Sequence, residues 1–390
     1  MALRALAVAW LLALAWPASA QHAGHGKAAV PRADLGASAA FANDGALWAV
    51  GALGEHVVWR VSPDSGASWS APAVVNGEPE PVAADGDSRP KIVVGKSGQL
   101  FVTWTRPLAL PYTGEVRFSR SLDGGVHWSK PVTVHTDRQQ ITHRFDAMAV
   151  DRQGKLFIAW IDKRDQVQAK AAGEPYRGAA IYFAVSDDDG ASFRGDFKLA
   201  EHSCECCRIA LLARSDTGVT ALWRHVFAPN IRDHAIADLY ADGSASEIRR
   251  ASFDDWAIDA CPHHGPSLAR DSDGTLHAVW FHLGKHEPGV TYGRLLDGKV
   301  EAQRRLGGDG AAHADIAVDG QRLLLVWKEF DGQRTWLRAQ RSDDAGAHWR
   351  DLTLADTGDM SDQPRALVHD GRFHVFWNTR ERPWQVVAVP

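Results

Sequence analysis

One eight-residue pattern, S-x-D-x-G-x-x-[W/F], occurs four times in this chain of 390 residues. The copies are SPDSGASW (Ser62 to Trp69), SLDGGVHW (Ser121 to Trp128), SDDDGASF (Ser186 to Phe193) and SDDAGAHW (Ser342 to Trp349). The residue types describe a hairpin turn. Asp offers a short carboxylate that caps backbone N–H groups, and Gly takes the positive φ such turns need. The aromatic is expected to fold back under the turn as a plug with its own small core.

A second repeat lies between these turns. Short strands ending in Trp recur as GQLFVTW (Trp104), GKLFIAW (Trp160), GVTALW (Trp223), GTLHAVW (Trp280), QRLLLVW (Trp327) and GRFHVFW (Trp377). Each follows a Gly- or Asp-containing turn and another short apolar segment, and SAAFANDGALWAVG near Ala46 is a weaker seventh copy. The unit is therefore strand, tight turn, Trp-ending strand, third strand, Asp-type turn, fourth strand, with a period of roughly 50–60 residues. Four-stranded sheets repeated this way build a β-propeller, so the fold class is all-β. Seven inner strands are expected, beginning near Ala37, Lys91, Ala147, Ile209, Pro266, Ala314 and Ala366; the ring has six blades if the first or last unit is partial. The last blade is short, and the segment around Ala29 to Leu35 is expected to supply its missing outer strand. The six Trp are expected in the core between blades.

The ends fall outside the repeats. MALRALAVAWLLALAWPASA has a basic residue, an apolar run and a small-residue end, the layout of a cleaved secretory signal over residues 1–20. The run is short for a membrane span. Residues 21–35, with His22 and His25, read as a flexible lead, and residues 36–390 as a single propeller domain. The expectation is a periplasmic or secreted protein with no membrane span. A net charge of −5 argues against nucleic acid as a partner.

The four Asp-type motifs resemble the Asp-box (BNR) repeats of the sialidase superfamily, and the resemblance covers nearly all of residues 36–390 as architecture. It implies a sialidase-like propeller and, if the chemistry follows, a glycoside hydrolase acting on sialic acid or a related sugar. Such enzymes clamp a carboxylate with three arginines and use a Tyr nucleophile activated by Glu, with an Asp acid/base. Matched onto this chain, the resemblance points to Arg89 in DSRPKIVV, to Arg365, and to Tyr292 with Glu329; Arg144 and Arg208 also lie at inner-strand starts. The family's F/Y-R-I-P motif is absent around Arg89. Asp boxes also occur in many proteins that are not hydrolases.

The cysteines point elsewhere. Three of four fall in EHSCECCRIA as Cys204, Cys206 and Cys207; the fourth, Cys261, opens CPHHG beside His263 and His264. Both stretches lie on crossovers that run from the rim of one blade to the inner strand of the next. Neighbouring crossovers share one face, so these residues should converge on the axial mouth. His143, His313, Met360 and Asp362 arrive at the same level from other blades. Thiolate with imidazole suits Cu(I), with Zn(II) as the alternative. Exported cysteines also pair as disulfides, and a bridge from Cys261 to CECC would staple two blades with no cofactor bound. The residues leave three functions open: a metal or redox site, a glycan-processing enzyme, and a stapled propeller that binds a periplasmic protein.

Overall fold

The computed structural model describes residues 34–260 and 262–390. The signal-like segment, the histidines of the lead and Cys261 lie outside the described residues. So do residues 29–33 of the expected closing strand; Asp34 and Leu35 are not in a strand.

Seven antiparallel sheets form the chain, six of four strands and one of three among the described residues. Within each sheet the strands lie in sequence order. The innermost strands are Ala37–Phe41, Lys91–Val94, His143–Val150, Ala210–Ala213, Ser267–Arg270, Ala311–Asp319 and Arg365–His369. Each packs beside the inner strands of its two neighbours, and the first packs beside the last, so the ring closes with seven blades. The three-stranded blade is the seventh: Arg365–His369, Arg372–Trp377 and Gln385–Ala388. Its seam with blade one is held at the axis. The Asp362 carboxylate accepts from the Ala37 N–H (3.1 Å) and from Arg89 Nη1 (2.5 Å), and Asn378 Nδ2 donates to the Leu35 carbonyl (2.8 Å).

Strand alternation explains the Trp period. Trp104, Trp160, Trp223, Trp280, Trp327 and Trp377 are all buried. A buried indole N–H usually finds an acceptor, and five of the six do, Trp223 being the exception. Trp104 donates to Glu80, Trp160 to Asp162, Trp280 to Asp254, Trp327 to Glu329 and Trp377 to the Asp362 carbonyl, all at 2.7–3.1 Å.

The four Asp boxes share one hydrogen-bond pattern. In the first, the Asp64 carboxylate accepts from the Ser68 N–H (2.7 Å), and Ser62 Oγ accepts from the Gly66 N–H while donating to Asp64. The Ser of the motif is thus a second cap. The plugs differ from the expectation of private cores. Trp128 packs on Trp59, Phe193 on Phe118, Trp349 on Tyr292 and Trp69 on Trp384, each partner belonging to the preceding blade. A turn is too small to bury an indole by itself, so the ring goes where apolar surface exists. Blade four carries a reduced version, in which Asp242 accepts from the Ser244 N–H (2.9 Å), with Tyr240 in place of the motif's Ser and Glu247 in place of its aromatic.

Gly190 shows how tight this seam is. Its φ is +79°, and a Cβ there would sit 2.4 Å from the Phe118 ring of blade two. Gly190→Ala is expected to destabilise the protein by about 2 kcal/mol, combining backbone strain with overpacking. A urea midpoint unchanged from wild type would show that the turn is free to move off its neighbour.

The polar insertion from Asp162 to Gly178 contains a helix, Arg164–Ala172. Its polarity shows no apolar stripe, so no sequence periodicity announces it. It is held by polar contacts instead. Tyr182 Oη donates to Asp165 (2.8 Å), and Gln166 and the preceding Lys163 reach Glu205 at 3.2 and 2.6 Å. Glu205 lies inside CECC, so the helix braces the cysteine crossover. Among the described residues no helix is long and apolar enough to cross a membrane.

Candidate functional site

Strand order places the two ends of every blade. The Asp boxes join third to fourth strands at one end of the ring. The crossovers from fourth strand to next inner strand lie at the other. A cavity of about 490 Å³ opens at the crossover end. Every blade contributes to its wall: Leu35, Asp87, Phe145, Cys206, His263, His313 and Asp362, in chain order. Met360 and Lys328 join them.

Cys204, Cys206 and Cys207 are buried where blades three and four meet. The Cys204 N–H donates to the Arg224 carbonyl (2.9 Å), which fixes the start of the crossover. The chain then turns back on itself. Cys204 Sγ lies 3.0 Å from Cys207 Sγ and 3.9 Å from Cys206 Sγ, and all three sulfurs lie within 4.8 Å of one another. A disulfide needs about 2.05 Å, so none joins these three. Arg232 Nη1 approaches Cys204 Sγ at 3.8 Å. Burial pushes the Cys207 thiol well up from its usual range, and the neighbouring Cys204 adds to this. Cys206 puts its side chain on the cavity wall.

The histidines divide. His263 and His313 line the cavity with Cys206, although neither belongs to the tight sulfur group. His264 stacks between Phe281 (4.2 Å) and His313 (4.4 Å). Burial holds His264 down at about 4 and His313 at about 2. Both rings are therefore neutral near pH 7, which leaves each a lone pair for a ligand. His143 does not join them. It is wholly buried, stacked on His135 at 3.9 Å, with its Nε2 3.7 Å from Asp162. The register of blade three shifts at this point, and Phe145, at φ +54°, takes the wall position instead. His263 (φ +54°) and His313 (φ +55°) have the same left-handed backbone. Cys261 lies outside the described residues.

Of the residues suggested by the sialidase resemblance, Arg89, Arg208 and Arg365 gather around Asp87 at the axis, with Arg208 3.5 Å from its carboxylate, while Tyr292 and Glu329 do not join them. Arg89 is fully buried, and it donates to Asp362, to the Ala37 carbonyl (3.0 Å) and to the Gly86 carbonyl (2.6 Å). Arg208 spans the axis with donors on the carbonyls of Pro266 (2.9 Å) and Ala314 (3.0 Å) and on Gln363. Both guanidinium groups tie blades together below the cavity. Arg365 faces a separate space of about 180 Å³ deeper in the channel, with Lys91 beside it, and pairs with Asp315 at 3.9 Å. Arg144 pairs with Asp85 at 3.9 Å. Tyr292 is on the third strand of blade five, buried beneath the Asp box of blade six. Its hydroxyl meets His277 Nδ1 at 2.8 Å, and its ring meets Trp349. Glu329 caps the Trp327 indole and the Gly308 N–H. Neither Tyr292 nor Glu329 lines the cavity and each is engaged by other partners, so no nucleophile–activator couple forms at the mouth.

Sequence reasoning passed over Asp87, Phe145 and Lys328. Lys328 follows Trp327, so alternation turns it away from the inter-blade core. Burial lowers its ammonium from the usual range, and it donates to the Ser361 carbonyl at 3.4 Å.

No family model and no curated protein matches this sequence. Solved structures do match by shape. The polysaccharide lyase Uly1 is 8% identical with a TM-score of 0.51, covering 96% of this chain and 92% of its own. A PL25 ulvan lyase bound to -[GlcA(1-4)Rha3S]- is 10% identical with a TM-score of 0.50, covering 92% of each chain. A mutant NanB sialidase from Streptococcus pneumoniae is 10% identical with a TM-score of 0.47, covering 78% of this chain and 66% of its own. At these identities the likeness is one of fold, and the chain has the fold of the sialidase-like seven-bladed β-propellers.

Proposed function

We propose that the axial mouth is a soft-metal site in an exported propeller, with Cu(I) as its ion and Zn(II) as the lesser fit. One observation carries the reading: three cysteine sulfurs within 4.8 Å of one another beside a cavity that also holds His263, His313 and Met360. Sulfurs around a three-coordinate ion at about 2.3 Å stand about 4 Å apart; Cys204 to Cys206, at 3.9 Å, fits this, and Cys207, 3.0 Å from Cys204, is too near to share the ion with it. Thiolate, thioether and neutral imidazole are the donors that select Cu(I). Zinc sites prefer four fixed ligands, and Met is a poor donor to zinc. Three wall residues at positive φ add support, since such strain gathers at working sites.

A second reading has a different support. The two lyases with TM-scores of 0.50 and 0.51 act on polysaccharide, and their likeness extends over more than 90% of this chain. The cavity is wide enough for a sugar unit and carries Lys328. This favours a carbohydrate-active enzyme working on an acidic glycan. The buried Arg89 and Tyr292 argue against the sialidase form of it.

The test is paired. Protein recovered from the exported fraction is analysed for copper and zinc, then titrated with Cu(I) against a chelator. The same preparation is given a fluorogenic sialoside and ulvan. Copper retained by wild type and lost by about 100-fold or more in Cys206→Ser supports the metal reading. Glycan cleavage that persists after chelation and in Cys206→Ser replaces it with the enzyme reading.

A further inference from the structure

The closeness of two of the three sulfurs has a chemical use of its own. Cys204 and Cys207 stand in a C-x-x-C arrangement with Sγ atoms 3.0 Å apart, nearer than two sulfurs sharing one ion would sit. Their sulfurs need to close by only about 1 Å to bond. Cys206, the third member, lies on the cavity wall, and its sulfur is within 4.8 Å of both. An ion arriving at Cys206 is therefore within direct reach of the dithiol. Arg232, at 3.8 Å from Cys204 Sγ, favours the thiolate that attack requires.

We propose that Cys204 and Cys207 form a dithiol that reduces Cu(II) entering the cavity, so that the site takes in Cu(II) and holds Cu(I). This rests on copper being the ligand of the mouth. The step balances as a single turnover. Each thiol gives up one proton and one electron, the Cys204 Sγ–Cys207 Sγ bond forms, and two Cu(II) become two Cu(I). Cys206 takes no part in the new bond and remains, with His263 and His313, as a ligand for Cu(I). Renewal of the dithiol requires an external thiol reductant.

The experiment uses the whole reduced protein under anaerobic conditions with Cu(II) added in excess. A Cu(I)-specific chelator counts reduced copper, thiols are titrated before and after, and the tryptic peptide Leu199 to Arg208 is weighed. The expected result is two Cu(I) produced per chain, two thiols lost, and that peptide lighter by two hydrogens. Alkylation of the remaining thiol followed by fragmentation of this wild-type peptide must find the alkyl group on Cys206, which assigns the bond to Cys204 and Cys207. Cys204→Ser and Cys207→Ser are expected to lose the two-electron yield, with thermal melts confirming that each variant is folded. A wild type that binds supplied Cu(I) but reduces no Cu(II), or whose bond includes Cys206, overturns the proposal and leaves the metal site standing. Full reduction with the expected bond but no Cu(I) retention supports the dithiol and removes the metal-holding role.

Discussion

Arg89→Met is expected to cost about 3–5 kcal/mol of folding stability, because it strands the buried Asp362 carboxylate. Asp362 has one guanidinium partner at 2.5 Å and two backbone donors, the N–H groups of Ala37 and Gln363, and its side chain is only 5% exposed. Burial already pushes this carboxyl up from its usual range while Arg89, foremost among the groups that oppose it, pulls it down, so removing Arg89 takes away the largest favourable part. Urea denaturation at neutral pH provides the measurement. The double variant Arg89→Met with Asp362→Leu should recover much of the loss, since no charge is then left without a partner. The seam between blades one, two and seven explains the size of the effect: Arg89 also donates to the Ala37 carbonyl, so one side chain joins three blades. A carboxylate clamp for substrate predicts the opposite, with normal stability and lost ligand binding.

Copper affinity should depend steeply on pH. Burial raises the Cys207 thiol, so without an ion the group is protonated near pH 7. An ion bound by a thiolate displaces that proton. Affinity therefore rises with pH, by about tenfold per unit for each proton released, as long as the pH lies below the thiol value. For the fully reduced protein titrated with Cu(I), the release of two protons between pH 6 and pH 8 amounts to roughly 10⁴-fold. Chelator competition at the two pH values measures it. His264 and His313 add little to this slope, since both are already neutral above about pH 5. An affinity that stays flat with pH would mean that the sulfurs are not the ligands.

Much of this was legible in the residues because repetition averages out local ambiguity. Four Asp boxes and six Trp-ending strands mark blade after blade, and the seven expected inner strands match those observed to within a few residues. The mouth was legible for a topological reason: crossovers in a closed ring of up-and-down sheets must share one end. Cys206, His263 and His313 were thereby placed together although they are far apart in sequence. What failed had no periodic signal. The helix Arg164–Ala172 lacks an apolar face, and its place depends on Asp165 and Glu205. His143 is expected at the level of the mouth, but a register shift in blade three turns it inward and gives its place to Phe145. The aromatic plugs were assigned to their own turns because the chain itself does not show which neighbouring blade has surface to offer.

The sequence by itself determined the blade repeat, the ring it implies and the end of the ring where the cysteines and histidines gather, since these follow from local turn chemistry and strand order. Only the tertiary structure decided how each side chain is used. The 3.0 Å approach of Cys204 to Cys207, the commitment of Arg89 to Asp362 and the burial of Tyr292 under a neighbouring turn all depend on contacts between distant parts of the chain. Such contacts are set by packing and desolvation across blades, and residue spacing does not encode those quantities one motif at a time.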